Sequence, residues 1–306
     1  MKKILFIILS LILWIGCYDE DPLTPTTEPE PYFLLPQGDH DFDRNIVNWN
    51  DRCGFYILYR FQPQDIYWNL TQWDETSWDS LSNKWLQNKF KAEPAKEEYV
   101  DQLLNFVETE FLNFYPDSAL QILMPLKLLF CSELWEPYGT TPSVMDCYTG
   151  IDFIAINHGN ESIMDMDADD RVAFKQNLHI TFLERITDYE KISIPAEFKS
   201  ISTYGENVDN TNMYDMGFLQ PDGWTKIDAK KDWKSFLTAI VTTPYDDLTA
   251  EPAAWAWKYS MGILSDTKDR THKIRDKYVV VIRYFKETFG IDFQKIGDSF
   301  KVKNQE

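Results

Sequence analysis

The chain has few of the residues that build zinc ribbons and phosphate-binding loops. Only four of its 306 residues are cysteine, and no two of them form a CxxC pair. Glycine is also scarce, with 12 residues, and no glycine-rich loop of the kind that cradles phosphates is present. The Gly-x-Ser-x-Gly segment of many serine hydrolases is missing as well. The sequence therefore indicates neither a zinc ribbon, nor a phosphate loop, nor a hydrolase of that type.

Positive charge is in short supply too. Lysine and arginine number 30 against 49 aspartate and glutamate residues, which gives a formal net charge of −19. Nucleic acid and anionic lipid surfaces are therefore poor partners, and we expect no nucleic-acid binding. Aromatic residues, in contrast, make up 15% of the chain. The length allows one large domain or two closely packed halves.

The N-terminus has the pattern of a lipoprotein export signal. Lys2 and Lys3 precede an apolar run at 4–15, broken only by Ser10, and Gly16-Cys17 follows. The run is much shorter than the ~20 residues of a membrane-spanning helix, so it is typical of a secretory signal. A small residue before a cysteine is what lipoprotein processing requires. We therefore predict a signal peptide at 1–16 and acylation of Cys17, whose several acyl chains would anchor the protein to a membrane.

A polar segment separates this cysteine from the rest of the chain. Residues 18–21 read Tyr-Asp-Glu-Asp, and the sequence stays rich in Pro, Thr and Glu up to about residue 31. We predict a disordered acidic tether at 17–32 and a folded domain at 33–300. An acidic cluster behind an acylated cysteine resembles the surface-export signal of Bacteroidota lipoproteins. It implies an outer-membrane protein exposed on the cell surface, although an ordinary acidic linker would look similar.

Hydrophobic patterning predicts an α+β protein, with a sheet and helices in the N-terminal half and mostly helices afterwards. Aliphatic and aromatic residues predict strands at 52–61 and 151–156, and a further strand at 119–130 that Pro125 interrupts. Apolar residues at helical spacing predict helices at 97–114, 170–189, 231–241 and 273–289.

The order of several segments resembles a known family. The segments are the aromatic 59–61, the pair 152–157 and 178–183, the pair 216–219 and 231–233, and the closing 284–286 with 290–292. In this order and spacing the chain is similar, over roughly 33–296, to zinc-binding metallopeptidase lipoproteins of Bacteroidota. That group is gluzincin-like and is often encoded beside outer-membrane uptake systems. The resemblance implies a gluzincin-like architecture and association with an outer-membrane uptake complex.

The family's catalytic motif is degenerate in this chain. A His-Glu-x-x-His helix binds zinc through two imidazoles on one face, and its Glu activates the bound water. Matched by position, the chain keeps His179 but has Ile180 for the Glu and Leu183 for the second His. Lys231 stands where the family supplies a further Glu ligand, and Glu184 falls off the face of His179. We therefore expect no zinc and no other cofactor, and His179 bound to a backbone carbonyl or to water.

Other candidate sites are weaker. Cys131 and Cys147 are the most plausible disulfide partners if the exported chain is oxidised, although Cys53 leaves the choice open. Residues 165, 167 and 169 are aspartates, as at the start of a calcium loop, but the Gly and Glu that such a loop needs are absent. His40, His158 and His272 lie in separate segments, and the sequence predicts no nucleophile paired with a base.

An aromatic segment offers possible ligand contacts. Tyr67, Trp68, Trp73 and Trp78, followed by Trp85, alternate with polar residues and could present flat faces to sugar rings or peptide side chains. Core packing explains the same aromatics equally well.

Taken together, the sequence predicts a surface-exposed lipoprotein with a metallopeptidase-like fold that has lost its zinc motif. Its expected role is to bind a peptide or glycan, or to act as an accessory protein of an uptake complex. The alternatives are an active zinc metallopeptidase with a rearranged metal site that uses carboxylates such as Glu184 or Asp188, and a purely structural subunit of an outer-membrane assembly.

Overall fold

A computed structural model describes residues 33–67, 77–86, 90–138, 140–252 and 260–301. The predicted signal peptide, Cys17 and the tether therefore lie outside the described residues. Within the described ranges, the residues from Leu35 onward belong to one compact unit. None of the helices in the described ranges has the length and hydrophobicity needed to cross a membrane.

Among the described residues, helices and strands alternate in the first half of the chain, and helices follow in the second half. This arrangement confirms the α+β prediction. The helices are α1 Asp41–Cys53, α2 Pro63–Ile66, α3 Val100–Glu110, α4 Asp117–Leu123, α5 Ser162–Asp165, α6 Ala168–Asp188, α7 Ala196–Ile201, α8 Ala229–Thr242, α9 Tyr245–Thr249, α10 Lys273–Phe289 and α11 Phe293–Asp298. The strands are β1 Tyr56–Leu58, β2 Ser77–Asp79, β3 Lys84–Leu86, β4 Lys91–Pro94, β5 Lys127–Tyr138, β6 Thr141–Val144, β7 Cys147–Thr149 and β8 Phe153–Ile156.

The long strand β5 organises the sheet. Its first residues pair in parallel with β1 on one side and β8 on the other, and β7 adds antiparallel to β8. Its second half pairs antiparallel with β4 and β6. All four residues of β8 are buried, as expected for a strand covered on both faces. Strands β2 and β3 form a separate hairpin.

Helix α6 is the central helix of the second half. The side chain of Asp167 accepts a hydrogen bond from the backbone N–H of Asp170, which caps the first turn. Phe174, Leu178 and Phe182 then follow at intervals of four residues and are buried, as helical periodicity predicts. Helix α6 packs against α8 and against β7. The cap sets where α6 begins, and this apolar stripe decides which face of α6 turns inward.

Two strand predictions need correction. Within 52–61 only Tyr56–Leu58 is a strand, because Arg52 and Cys53 still belong to α1. Residues Asp117–Leu123 form α4 instead of a strand, and Pro125 separates that helix from β5. The helices predicted at 97–114, 170–189, 231–241 and 273–289 are confirmed, the first with short 3-10 turns at both ends.

The cysteines also differ from the expected pairing. Cys53, Cys131 and Cys147 are all free thiols, so the predicted Cys131–Cys147 bridge is absent. The reason is topological: Cys131 lies on β5 and Cys147 on β7, with β8 between these strands. Two strand spacings amount to ~9.6 Å, whereas disulfide-bonded Cα atoms lie less than about 7 Å apart. Burial raises the pKa of both thiols well above the usual value, so neither is a ready thiolate.

Candidate functional site

His179 lies inside the protein, on the inner face of α6, and is fully buried. Its Nε2 lies 3.0 Å from the carbonyl oxygen of Glu110 and its Nδ1 lies 2.8 Å from the hydroxyl of Tyr115. A carbonyl can only accept, so Nε2 carries the proton and Nδ1 accepts from Tyr115. Burial, with the nearby Lys175 ammonium, lowers the pKa of His179 to about 3. The side chain is therefore a neutral interior histidine with both nitrogens occupied.

The surroundings of His179 do not fit a zinc ion. Leu183, four residues along the same face, is buried, and the rings of Phe111 and Phe114 stand edge-on to the imidazole at 5.4 and 5.5 Å. The Nδ1 lone pair that a metal would need already accepts the Tyr115 proton. Ile180 is half-buried and supplies no donor atom. Within the described ranges no three His, Cys, Asp or Glu residues are grouped so that they could hold a metal ion.

A cleft of about 480 Å³ runs between the outward faces of α6 and α8. Glu184 contributes from α6 and Lys231 from α8, while His179 and Leu183 are not among its described lining residues. The separation of Glu184 from His179 agrees with the helical geometry expected from the sequence. The lining is mixed, with one amide, several hydroxyl groups and two apolar side chains, and consists of Glu184, Leu219, Gln220, Lys231, Lys234, Ser235, Thr238, Ala239, Thr242 and Ser260.

The charges at this cleft divide into neutralised and unpaired groups. Asp188 binds the ammonium groups of Lys230 at 3.0 Å and Lys234 at 2.6 Å. Burial would by itself raise the pKa of Asp188, but the hydrogen bonds from these lysines hold it below the usual value. In contrast, no described residue forms an ion pair with Lys231 or Glu184. As far as the described residues go, the cleft therefore offers an ammonium and a carboxylate without an ion partner.

Trp224 follows Gly223, whose backbone lies close to Lys231 of the cleft, and it was not identified from the sequence. Its side chain is fully exposed, at 107% of the reference area. The preceding residue, Gly223, lies so close to the cleft that a Cβ atom placed there would be 3.6 Å from the Lys231 ammonium. A large exposed aromatic is costly in water and is common where ligands bind. The turn-forming sequence Pro221-Asp222-Gly223 before Trp224 is the signal that could have indicated its exposure.

The aromatic segment predicted for ligand contact lies elsewhere. Tyr67 is buried and its ring lies 5.2 Å from that of Phe90, so it packs as a core residue. Trp78 is half-buried on β2, opposite Trp85 on β3. Trp68 and Trp73 are outside the described residues. Of the predicted set, the structure therefore brings none to the cleft within its described part.

The structure does pair a second histidine with a serine and a carboxylate, contrary to the expectation from the sequence. His158 contacts Ser162 through Nδ1 and Asp146 through Nε2, each at 2.9 Å. The spacing of four residues between His158 and Ser162 was visible in the sequence. The contact with Asp146 was not, because it depends on the pairing of β7 with β8.

Comparison with known proteins gives few relatives. No family model matches the chain, and no curated protein matches it. A solved structure similar to this one is that of a candidate zinc-binding metallopeptidase from Bacteroides caccae. The two chains are 14% identical, with a TM-score of 0.49, and the match covers 84% of this chain and 88% of the other.

Proposed function

We propose that this chain is a lipid-anchored protein of the outer membrane, exposed on the cell surface, whose folded domain binds peptides without cleaving them through zinc. Its fold would be metallopeptidase-like, with the metal motif lost. The observation that carries the binding role is the cleft between α6 and α8, where an ammonium and a carboxylate have no ion partner among the described residues and the nearby loop at Gly223 carries the exposed Trp224. The following paragraphs give the support for each part.

The loss of zinc chemistry is supported by the side chains at the motif positions. His179 is buried with both ring nitrogens hydrogen-bonded, and Leu183 is buried beside it. At the position of the third ligand, Lys231 brings a positive charge to the cleft. An ammonium would repel a divalent cation, so the described residues favour binding over metal-assisted hydrolysis.

A peptide fits the cleft better than a glycan does. The Lys231 ammonium can pair with a carboxylate, such as a peptide C-terminus, and Glu184 can pair with an amine or a cationic side chain. Trp224 can cover an apolar side chain. A neutral glycan could stack on Trp224 as well, but it would leave both charges of the cleft without a partner.

The anchor and the location rest on the sequence at Cys17. The charged, apolar and small residues before it and the acidic residues behind it support lipidation and surface display. Labelled palmitate should be incorporated into the wild-type chain and not into Cys17→Ala. Protease treatment of intact cells should remove the wild-type protein, and its survival would place it on the inner side of the membrane.

The binding experiment uses the full chain, purified in detergent, and a tryptic digest of casein. Retained peptides are identified by mass, synthesised, and titrated with a free and with an amidated C-terminus. We expect the free acids to bind about 10-fold more tightly, because only they can pair with Lys231. Starch oligosaccharides are applied to the same protein in a parallel experiment. If they are retained and the casein peptides are not, the ligand is a glycan and the peptide proposal is wrong.

Two further measurements test the loss of catalysis and the accessory role. Zinc released by acid from the full chain should be far below one ion per chain, and casein should remain intact. Stoichiometric zinc together with hydrolysis that a chelator abolishes would identify a working peptidase with a rearranged site. Affinity purification of the anchored protein from membranes should recover an outer-membrane uptake complex if the protein is its accessory subunit.

A further inference from the structure

A second site lies at the end of the sheet, away from the residues that line the peptide cleft. Asp146 precedes β7, His158 follows β8, and Ser162 begins α5. The antiparallel pairing of Cys147 with Ile156 brings these segments together, and the backbone N–H of Asn157 donates to the carbonyl of Asp146 at 2.8 Å. We infer that Asp146, His158 and Ser162 form a reactive-serine site that accepts acyl groups from positively charged esters.

The hydrogen bonds fix the proton positions at His158. Asp146 is ionised, since the hydrogen bond from His158 holds its pKa below the usual value, and a carboxylate can only accept. A neutral imidazole in this position therefore carries its proton on Nε2, 2.9 Å from Asp146. Nδ1 is left with a lone pair, 2.9 Å from the Ser162 hydroxyl. Ser162 therefore donates to a base that a carboxylate orients, as in a catalytic triad. The usual triad places the serine at Nε2 and the carboxylate at Nδ1, whereas here the two nitrogens have exchanged these partners.

Neighbouring groups hold this arrangement in place. The amide of Asn177 on α6 donates to the second carboxylate oxygen of Asp146 at 2.6 Å. The ring of Phe174 stands edge-on to the imidazole of His158 at a centroid distance of 4.7 Å. His158 also has a φ of 73°, in the left-handed region that non-glycine residues seldom adopt. Such backbone strain persists where the surrounding contacts enforce it, and it is concentrated at functional sites.

The three residues open onto a cavity whose charge indicates the substrate. The cavity measures about 430 Å³ and is lined by Asp146, His158, Ser162, Asp165, Met166, Asp170 and Ala173. The side chains of His158 and Asp146 remain 16% and 24% exposed, so a small molecule can reach them. No lysine or arginine is among these described lining residues, while Asp165 and Asp170 add negative charge. An ester with a cationic acyl group is therefore favoured over an anionic one.

The reaction is an acyl transfer followed by hydrolysis. The Ser162 oxygen bonds to the carbonyl carbon of the ester while its proton passes to Nδ1 of His158. The bond from that carbon to the leaving-group oxygen breaks, and the leaving group departs with the proton. Water then attacks the acyl-serine, His158 again carries the proton, and the acid is released with the free hydroxyl restored. Each step conserves atoms and requires only the ester and water.

Turnover should be slow, because the nearby backbone N–H groups are already bound. The N–H of Ser162 donates to the Asn160 side chain at 2.8 Å, and that of Ile163 donates to the Asn160 carbonyl at 3.2 Å. Neither is free to stabilise an oxyanion, and the loss of one such donor costs about 100- to 1000-fold in rate. Both acylation and hydrolysis are slowed, but an ester with a good leaving group acylates Ser162 faster than water removes the acyl group, so release of about one leaving group per chain is the expected signal.

The test uses p-nitrophenyl 4-guanidinobenzoate and the full chain. We expect about one p-nitrophenol per chain and the guanidinobenzoyl group on the peptide that contains Ser162. Ser162→Ala should abolish the release, and Asp146→Asn should slow it by about 10⁴-fold by favouring the wrong tautomer. His158→Asn should slow it at least about 100-fold, and asparagine tolerates the left-handed backbone. Ser200→Ala, an exposed serine bonded to a backbone carbonyl, serves as the control.

The outcomes decide the proposal in either direction. Absence of the release from wild-type protein that melts cooperatively would overturn it, as would an equal release from Ser162→Ala. Reaction that survives in folded His158→Asn would remove the base from the mechanism. Release from neutral p-nitrophenyl acetate at the same rate would overturn the preference for a cationic substrate. The peptide-binding titration is independent of all these results, since none of the altered residues lines that cleft.

Discussion

Helices α6 and α8 each carry polar residues on two faces, and the two faces differ in how their polar groups are satisfied. On the inner faces, His179 accepts from Tyr115, and Asp232 binds Lys277 at 2.6 Å with both side chains fully buried. On the outward faces, Glu184 and Lys231 line a cleft without an ion partner among the described residues. A buried polar group must bond to the protein, because water cannot reach it. A solvent-exposed polar group can exchange its water for a ligand. We therefore expect inner-face substitutions to change stability and cleft substitutions to change affinity.

The buried ion pair gives the largest expected effect. Asp232 also accepts from the Tyr204 hydroxyl at 2.8 Å, and the Lys277 ammonium lies 4.5 Å from the ring centre of Phe218. Burial raises the pKa of Asp232 and lowers that of Lys277, as desolvation of both charges requires. Asp232→Ala should lower the free energy of unfolding by about 3–5 kcal/mol, because Lys277 is left buried without a counter-charge. Urea unfolding measures the loss.

The double variant distinguishes an unpaired charge from lost packing. Asp232→Ala combined with Lys277→Met should recover a large part of the lost stability, because both charges are then removed. If the double variant is no more stable than Asp232→Ala, the loss of stability comes from packing. The ion pair then gives no support to the contrast between the inner and outward faces.

His179→Ala should produce the next largest effect. The substitution creates a cavity among aromatic rings and leaves the Tyr115 hydroxyl and the Glu110 carbonyl without their partner. We expect a loss of about 2–4 kcal/mol in the free energy of unfolding, with peptide affinity unchanged under conditions where the variant is folded. A loss of binding without a loss of stability would place His179 in the site instead of the core.

The free energy of unfolding should depend on pH because of the same inner face, through His179. The pKa of His179 is lowered to about 3 in the folded protein, against 6.5 for a histidine in an unfolded chain, so between these values the unfolded chain binds more protons. The stability contributed by His179 is therefore complete above about pH 6.5 and declines as the pH falls toward 3, by at most about 1.4 kcal/mol per pH unit.

His179→Gln isolates this contribution, since glutamine does not titrate. The difference in unfolding free energy between the variant and the wild type should shrink on acidification from pH 6.5 to 4.5. Carboxylates whose native pKa is lowered, such as Asp43 and Asp188, titrate in both proteins and cancel. A difference that is independent of pH would mean that the folded protein protonates His179 readily.

Two neighbouring lysines of α8 give the smallest and most specific test. Lys231 lines the cleft, whereas Lys230 pairs with Asp188 at 3.0 Å and is not among the described lining residues. Lys231→Gln should weaken peptide binding about 10-fold while changing the unfolding free energy by less than about 0.5 kcal/mol. Lys230→Gln should leave affinity unchanged. Equal effects of the two variants would attribute the result to general charge instead of to the cleft.

The sequence predicted the long helices well because their periodicity is local. The helix predicted at 273–289 coincides with α10, and the one predicted at 170–189 differs from α6 by two residues at its start and one at its end. The short segment at 119–123 was wrong because a brief apolar run fits a strand and a helix equally well. Pro125 marked a boundary there, but it could not show which element precedes it.

The sites were predicted only in part, because each depends on contacts between distant segments. Matching the zinc motif singled out His179 and Lys231, but it could not tell that one faces the core and the other the cleft. Trp224 is part of a loop whose place beside α8 depends on the packing around it. Asp146 reaches His158 only through the register of β7 and β8.

The sequence by itself determined the acidic balance, the α+β order of elements and the apolar stripes of the long helices. These follow from composition and from spacing along the chain, which need no knowledge of distant neighbours. The tertiary structure decided which polar groups are enclosed and which are left open to a ligand. Burial depends on every element that packs against a residue, so His179 became a neutral interior group while Lys231, on a facing helix, remained available in the cleft.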